Sequence, residues 1–130
     1  MKLTKLTIIG GFLILFFSNF TQSPKHFENN VIEVYFSNKL DINDLCIIKT
    51  DLIKEGIKLN YDYLKFTADG KLSAIEYHVT TKKFGGGDKT DDINKEIGFI
   101  VNFNPNAKYG IIVGSKETIK KRREVLDKQN

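Results

Sequence analysis

The chain has 130 residues, enough for one domain, with a formal net charge of +4, one cysteine, two histidines and no tryptophan. Cys46 has no partner for an internal disulfide, so the fold has to rest on its hydrophobic core. The positive balance is not that of a nucleic-acid binder, which spreads basic residues over its folded surface. Lys2 and Lys5 precede an apolar run, and residues 116–130 hold six basic against three acidic side chains, which leaves residues 24–115 near −1.

Lys2 and Lys5 form a positive n-region ahead of LTIIGGFLILFF, residues 6–17. That run is about a dozen residues, the length of a signal-peptide core, whereas a spanning helix needs roughly 20. The pattern predicts export, to a periplasmic or secreted location, with residues 1–23 as a signal peptide cut near Gln22. The alternative is an uncleaved anchor that holds the chain at the inner membrane. No cysteine follows the run, so lipid attachment is not supported.

Residues 24–29 read as a polar lead-in, and residues 30–37, NVIEVYFS, as a strand with Ile32, Val34 and Phe36 on one face. Residues 41–55 form the expected helix. Asp41 can cap it, with Asp44 completing a capping box. Ile42, Leu45, Ile48, Leu52 and Ile53 make its apolar stripe, Ile47 falls opposite, and Gly56 ends it. Cys46 is expected as a small core or boundary side chain. In residues 57–66 the apolar set Ile57, Leu59, Tyr61, Tyr63 changes face at Leu64 and Phe66, which predicts a bulge. Asp69-Gly70 turns the chain into the strand of residues 72–81, with Ile75, Tyr77 and Val79 on one face.

Residues 81–94, TKKFGGGDKTDDIN, look most like chemistry. A phosphate loop needs G-x-x-x-x-G-K-[ST] feeding a helix; here Lys89-Thr90 follows the glycines too closely and a strand comes next. Asp88, Asp91 and Asp92 are candidate calcium ligands, but their spacing is not that of an EF-hand. The stretch is expected to be a solvated loop between two strands. His26 and His78 lack a second ligand at zinc spacing, and no nucleophile elbow is present. No catalytic residue, cofactor or enzyme activity is expected.

Residues 96–103 are the next strand, on Ile97, Phe99, Val101 and Phe103; residues 104–108 turn, and residues 109–114 form a last short strand. The terminal segment from Lys116 reads as a frayed basic helix, solvated and laced by Lys120–Glu124 and Arg123–Asp127 pairs. The whole reads as α+β: an antiparallel sheet of about five strands, β-α-β-β-β-β, with one helix packed on one face. Residues 24–115 are the single domain, followed by the C-terminal basic helical tail of residues 116–130. Lys58, Asn60, Asp62, Glu76, His78 and Asn102 would face solvent.

Over residues 40–75 the sequence LDINDLCIIKTDLIKEGIKLNYDYLKFTADGKLSAI resembles the small extracytoplasmic C-terminal domain of antirepressor-type membrane zinc metallopeptidases, the β-lactam-sensor family. That family shows T-D-E-E-L…I-K-K-D-L-K-x-K-G-I, a strand, then R-N-x-x-G-E-I-x-x-I-x-I. Leu45, Ile48, Leu52, Gly56, Ile57, Gly70, Leu72 and Ile75 occupy the matching positions. The peptidase domain has no counterpart here, so no catalytic residue carries over. The resemblance implies a stand-alone accessory domain with a sensing or interaction role.

The expected function is therefore non-enzymatic interaction with an envelope protein. Tyr109, Ile111 and Val113 are candidates for an edge strand that a partner could extend. Lys120, Lys121, Arg122 and Arg123 are candidates for contact with an acidic partner or anionic headgroups. The alternatives are calcium or small-ligand binding through residues 85–92, and membrane-surface attachment through the leader and basic tail.

Overall fold

The computed structural model describes residues 25–28 and 30–129; the leader, its cleavage point and Pro24 lie outside the described residues. Strand β1, Lys25–Glu28, pairs antiparallel with β2, Val31–Phe36, where the sequence suggests only a polar lead-in. Asn30, between them, takes φ 64°, a left-handed geometry that asparagine tolerates in tight turns.

Helix α1, Ile42–Lys54, starts as expected. The Asp44 N–H donates to Asp41 Oδ1 and the Asp41 N–H to Asp44 Oδ2, both at 2.9 Å. Gly56, at φ 78°, ends it, and the Ile57 N–H returns to the Leu52 carbonyl at 3.0 Å. The buried stripe is narrower than the periodicity suggests. Leu45, Ile48 and Leu52 are buried, while Ile42 and Ile53 are 49% and 59% exposed. Cys46 is exposed as well, not in the core or at its boundary.

The expected single sheet is replaced by two. Strands β3 (Lys58–Phe66), β4 (Leu72–Thr80) and β5 (Gly85–Thr90) form a three-stranded antiparallel meander. Strands β6 (Ile97–Asn102) and β7 (Ile111–Ser115) join the first two in a four-stranded sheet of order β1-β2-β6-β7. The chain splits this way because β2 pairs with β6, not with β3. Each sheet turns an apolar face toward the other, and these two faces bury each other. Phe36 and Phe99 of one sheet receive Tyr77 of the other, with ring centroids 5.0 and 5.7 Å away. The Tyr77 hydroxyl crosses the core to donate to the Gly98 carbonyl at 2.5 Å. The β3 register shifts between Tyr61 and Tyr63, the bulge expected from the change of face, and Leu64 and Phe66 beyond it pack on the core.

Each open side of the sandwich is closed differently. Helix α1 reaches both edge strands on one side: the Tyr61 hydroxyl donates to the Leu45 carbonyl at 2.7 Å, and Lys25 of β1 pairs with Asp51. On the other side β5 lies against β7. Here the glycine-rich stretch is a strand and not a loop. A Cβ on Gly86 would stand 3.1 Å from Val113 Cγ1, so the bare backbone lets β5 approach β7 closely. The actual turn is shorter, from Thr81 to Phe84, closed by the Thr81 N–H on the Phe84 carbonyl at 2.8 Å.

Helix α2, Lys116–Asp127, is capped by Ser115, whose hydroxyl accepts from the Thr118 N–H at 3.1 Å. It packs on the second face of the four-stranded sheet. Ile119 is fully buried against Ile100 and Ile112. Arg123 pairs with Glu33 of β2, Lys116 with Glu96 at 3.3 Å, and Glu117 with Lys121 at 2.9 Å. These replace the expected Lys120–Glu124 and Arg123–Asp127 pairs, because docking turns Arg123 toward the sheet. Lys116 Nζ also sits 5.2 Å from the centre of the Tyr35 ring. Burial, with Glu33 nearby, pushes the Tyr35 hydroxyl up to about 12. Among the described residues no helix is long and apolar enough to cross a membrane.

Candidate interaction surface

Strand β7 ends the four-stranded sheet. The Asn102 N–H donates to the Gly110 carbonyl at 2.8 Å, and the Lys116 N–H to the Glu96 carbonyl at 3.1 Å. Bonded pairs alternate along an antiparallel ladder, so Gly110, Ile112 and Gly114 spend their backbone groups on β6. Ile111 and Val113 turn theirs outward, to an edge that no strand pairs with among the described residues. Their side chains pack on the core beneath β5. Tyr109 precedes the strand and is not part of it, since β7 begins at Ile111.

The free edge borders a groove of about 490 Å³ lined by Tyr109, Ile111 and Ile112 from the β7 side and by Lys121, Arg122 and Val125 from α2. The two candidate sets of the sequence, the edge strand and the basic tail, thus meet on one surface. Val113 belongs to the same edge. Lys121 is tied to Glu117, a hydrogen bond that holds the carboxyl low and the ammonium high, so both stay charged. Arg122 is exposed and has no carboxylate partner among the described residues. Lys120 is exposed on the same helix, whereas Arg123 is committed to Glu33.

A second cavity of about 410 Å³ opens at the end of the sandwich, between the β4–β5 turn and the β6–β7 connection. Val101 lies at its base, and Phe84, Phe103 and Tyr109 line it, with Lys82 and Lys83 also on its wall. Phe84 and Phe103 are 49% and 43% exposed. The Phe84 ring lies on Gly110, where a Cβ would come within 2.1 Å of it. Neither lysine has a carboxylate partner among the described residues, and Glu55, at the end of α1, is the single acidic residue lining either space. Sequence reasoning missed this cavity. The available signal was a bulky aromatic beside each predicted turn, Phe84 before the glycines and Phe103 before Asn104-Pro105.

The calcium candidates are spread over a strand and a turn. Asp88 stands on β5 opposite Tyr77, and its Oδ1 accepts from the Lys89 N–H at 2.9 Å. Asp91 and Asp92 follow in the turn, where Asp92 Oδ1 accepts from the Asn94 N–H at 3.0 Å. Among the described residues no three His, Cys, Asp or Glu side chains are placed to share a metal ion.

His78 faces outward from β4, as expected. Its Nδ1 lies 2.7 Å from Asp62 Oδ2 and its Nε2 3.0 Å from Asn60 Nδ2. The Asn60 amide donates to Nε2, so the Nδ1–H donates to Asp62 and both ring nitrogens are occupied. Of His26 only the backbone is described, in β1.

The chain matches no family model, no curated protein and no solved structure.

Proposed function

We propose that the chain is an exported, non-enzymatic interaction domain of the cell envelope, which binds an envelope protein by letting it add a strand to β7. The observation that carries this is the outer edge of β7, where the Ile111 and Val113 backbone groups are unpaired among the described residues and lie beside an apolar, cationic groove. An open edge supplies main-chain hydrogen bonds, and the flanking groove supplies selectivity. The leader-like run of residues 6–17 supports export, and the resemblance over residues 40–75 supports a sensing or interaction role.

The test is capture of a partner from envelope extract by the full-length chain, followed by hydrogen exchange on the complex. The Ile111 and Val113 amides are expected to slow on binding, and Lys121→Glu/Arg122→Glu to abolish capture while leaving the melting curve intact. A partner that protects α1 or the outer face of β3 and β4, and leaves the β7 amides unchanged, would overturn the reading. Removing the whole tail is the poorer experiment, because it would strip Ile119 from Ile100 and Ile112.

A further inference from the structure

Resting on the β7 reading, the geometry points to the kind of segment that edge accepts: an extended acidic peptide carrying one bulky apolar residue, which enters the cavity at the sandwich end. Tyr109 carries the inference, because it lines both the groove beside β7 and the end cavity, so the two spaces adjoin through one side chain. A strand laid along Ile111 and Val113 therefore runs, at the Tyr109 end, onto the mouth of the cavity.

The chemistry of that mouth selects the occupant. Its walls are aromatic and its base is Val101, a surface that takes an aromatic or long aliphatic side chain. The two spaces together hold Lys82, Lys83, Lys121 and Arg122 against the single carboxylate of Glu55. Three of these cations lack a carboxylate partner among the described residues, so acidic side chains on the incoming segment meet uncompensated positive charge. A basic segment would be repelled at both ends. A second copy of the chain pairing through β7 would bring the same α2 cations face to face, which argues against self-association as the use of this edge.

The experiment selects a displayed library of random dodecapeptides on the full-length chain, held in nanodiscs of zwitterionic lipid. Enriched peptides are then synthesised and titrated by fluorescence anisotropy. The expected consensus joins Asp or Glu to one bulky apolar position. Changing that position to Ala should weaken binding tenfold to about a hundredfold, as for a buried anchor. Lys82→Glu/Lys83→Glu should weaken it by at least about tenfold and flatten its salt dependence.

Peptides that bind through β7 but are indifferent to the bulky position and to Lys82→Glu/Lys83→Glu would overturn this inference and leave strand addition standing. A basic consensus would overturn it in the same way. No enriched peptide at all would overturn both.

Discussion

Replacing Ile119 by alanine tests whether α2 is part of the fold or a solvated appendage. Ile119 has no exposed surface, and it is the residue of α2 that enters the cluster with Ile100 and Ile112. Ile119→Ala removes three buried carbons, worth about 2.4 kcal/mol at 0.8 kcal/mol each. The cavity left behind raises the cost to about 3–4 kcal/mol, inside the range for buried Ile→Ala changes. Val125, on the same helix, is 56% exposed and serves as the control; Val125→Ala should stay within about 0.5 kcal/mol. Urea unfolding followed by circular dichroism reads the difference. At an m-value of about 1.5 kcal/mol/M, the Ile119 variant should unfold roughly 2 M earlier. If the helix undocks before the core unfolds, the loss is smaller, and the α2 amides then exchange freely while those of β6 stay protected. Ile119→Ala and Val125→Ala giving the same small shift, with α2 exchange unchanged, would refute the docking argument.

Four further outcomes are expected. Gly98→Ala should cost about 2–3 kcal/mol, because its Cβ would stand 2.0 Å from the Val34 carbonyl oxygen. Gly56→Ala, with open space around it but φ 78°, should cost only about 1 kcal/mol in the same urea assay. The Asp51 carboxyl is held below its ordinary value, first by the Lys25 hydrogen bond. Its contribution is therefore present above the unfolded carboxylate pKa and fades as pH falls through the folded one, so Lys25→Met should destabilise at neutral pH and cease to matter in strong acid. Burial raises the Tyr35, Tyr61 and Tyr77 hydroxyls. Their contribution is complete below the unfolded phenol pKa and lost as pH rises through the folded values. Ultraviolet titration should then show these three ionising late, or together with alkaline unfolding.

What could be read in advance was what local chemistry determines. The Asp41–Asp44 capping box and the Gly56 stop act within a few residues, so helix α1 is legible from its own letters. The bulge in β3 is visible because the apolar set changes face there. Strand β5 was hidden because Gly85, Gly86 and Gly87 have no side chains to alternate; it is a strand only through its pairing with β4 and its contact with Val113. The docking of α2 was hidden for a different reason. Ile119 and Leu126 advertise a weak stripe, but what they cover, Ile100 and Ile112, lies on a sheet face that strand alternation assigns to solvent. The clue was the unbroken run Phe99-Ile100-Val101, which is apolar on both faces, as in a strand covered on both sides. The interaction surface joins Phe84, Tyr109 and Lys121 from three separate segments, and no spacing in the chain announces that meeting.

The order β1-β2-β6-β7 has a mechanical consequence. The strand nearest the proposed leader and the strand proposed to take a partner are the two outer strands, three inter-strand spacings apart, or about 14 Å. A partner on β7 and an anchored leader on β1 would pull the sheet from opposite rims, with every ladder between them in series. The weakest link along that line is the four-residue β1, reinforced by the Lys25–Asp51 clasp on α1. Tension would open that clasp first and spare the β6–β7 ladder, so a load on the partner would be felt at the tether before it loosened the grip.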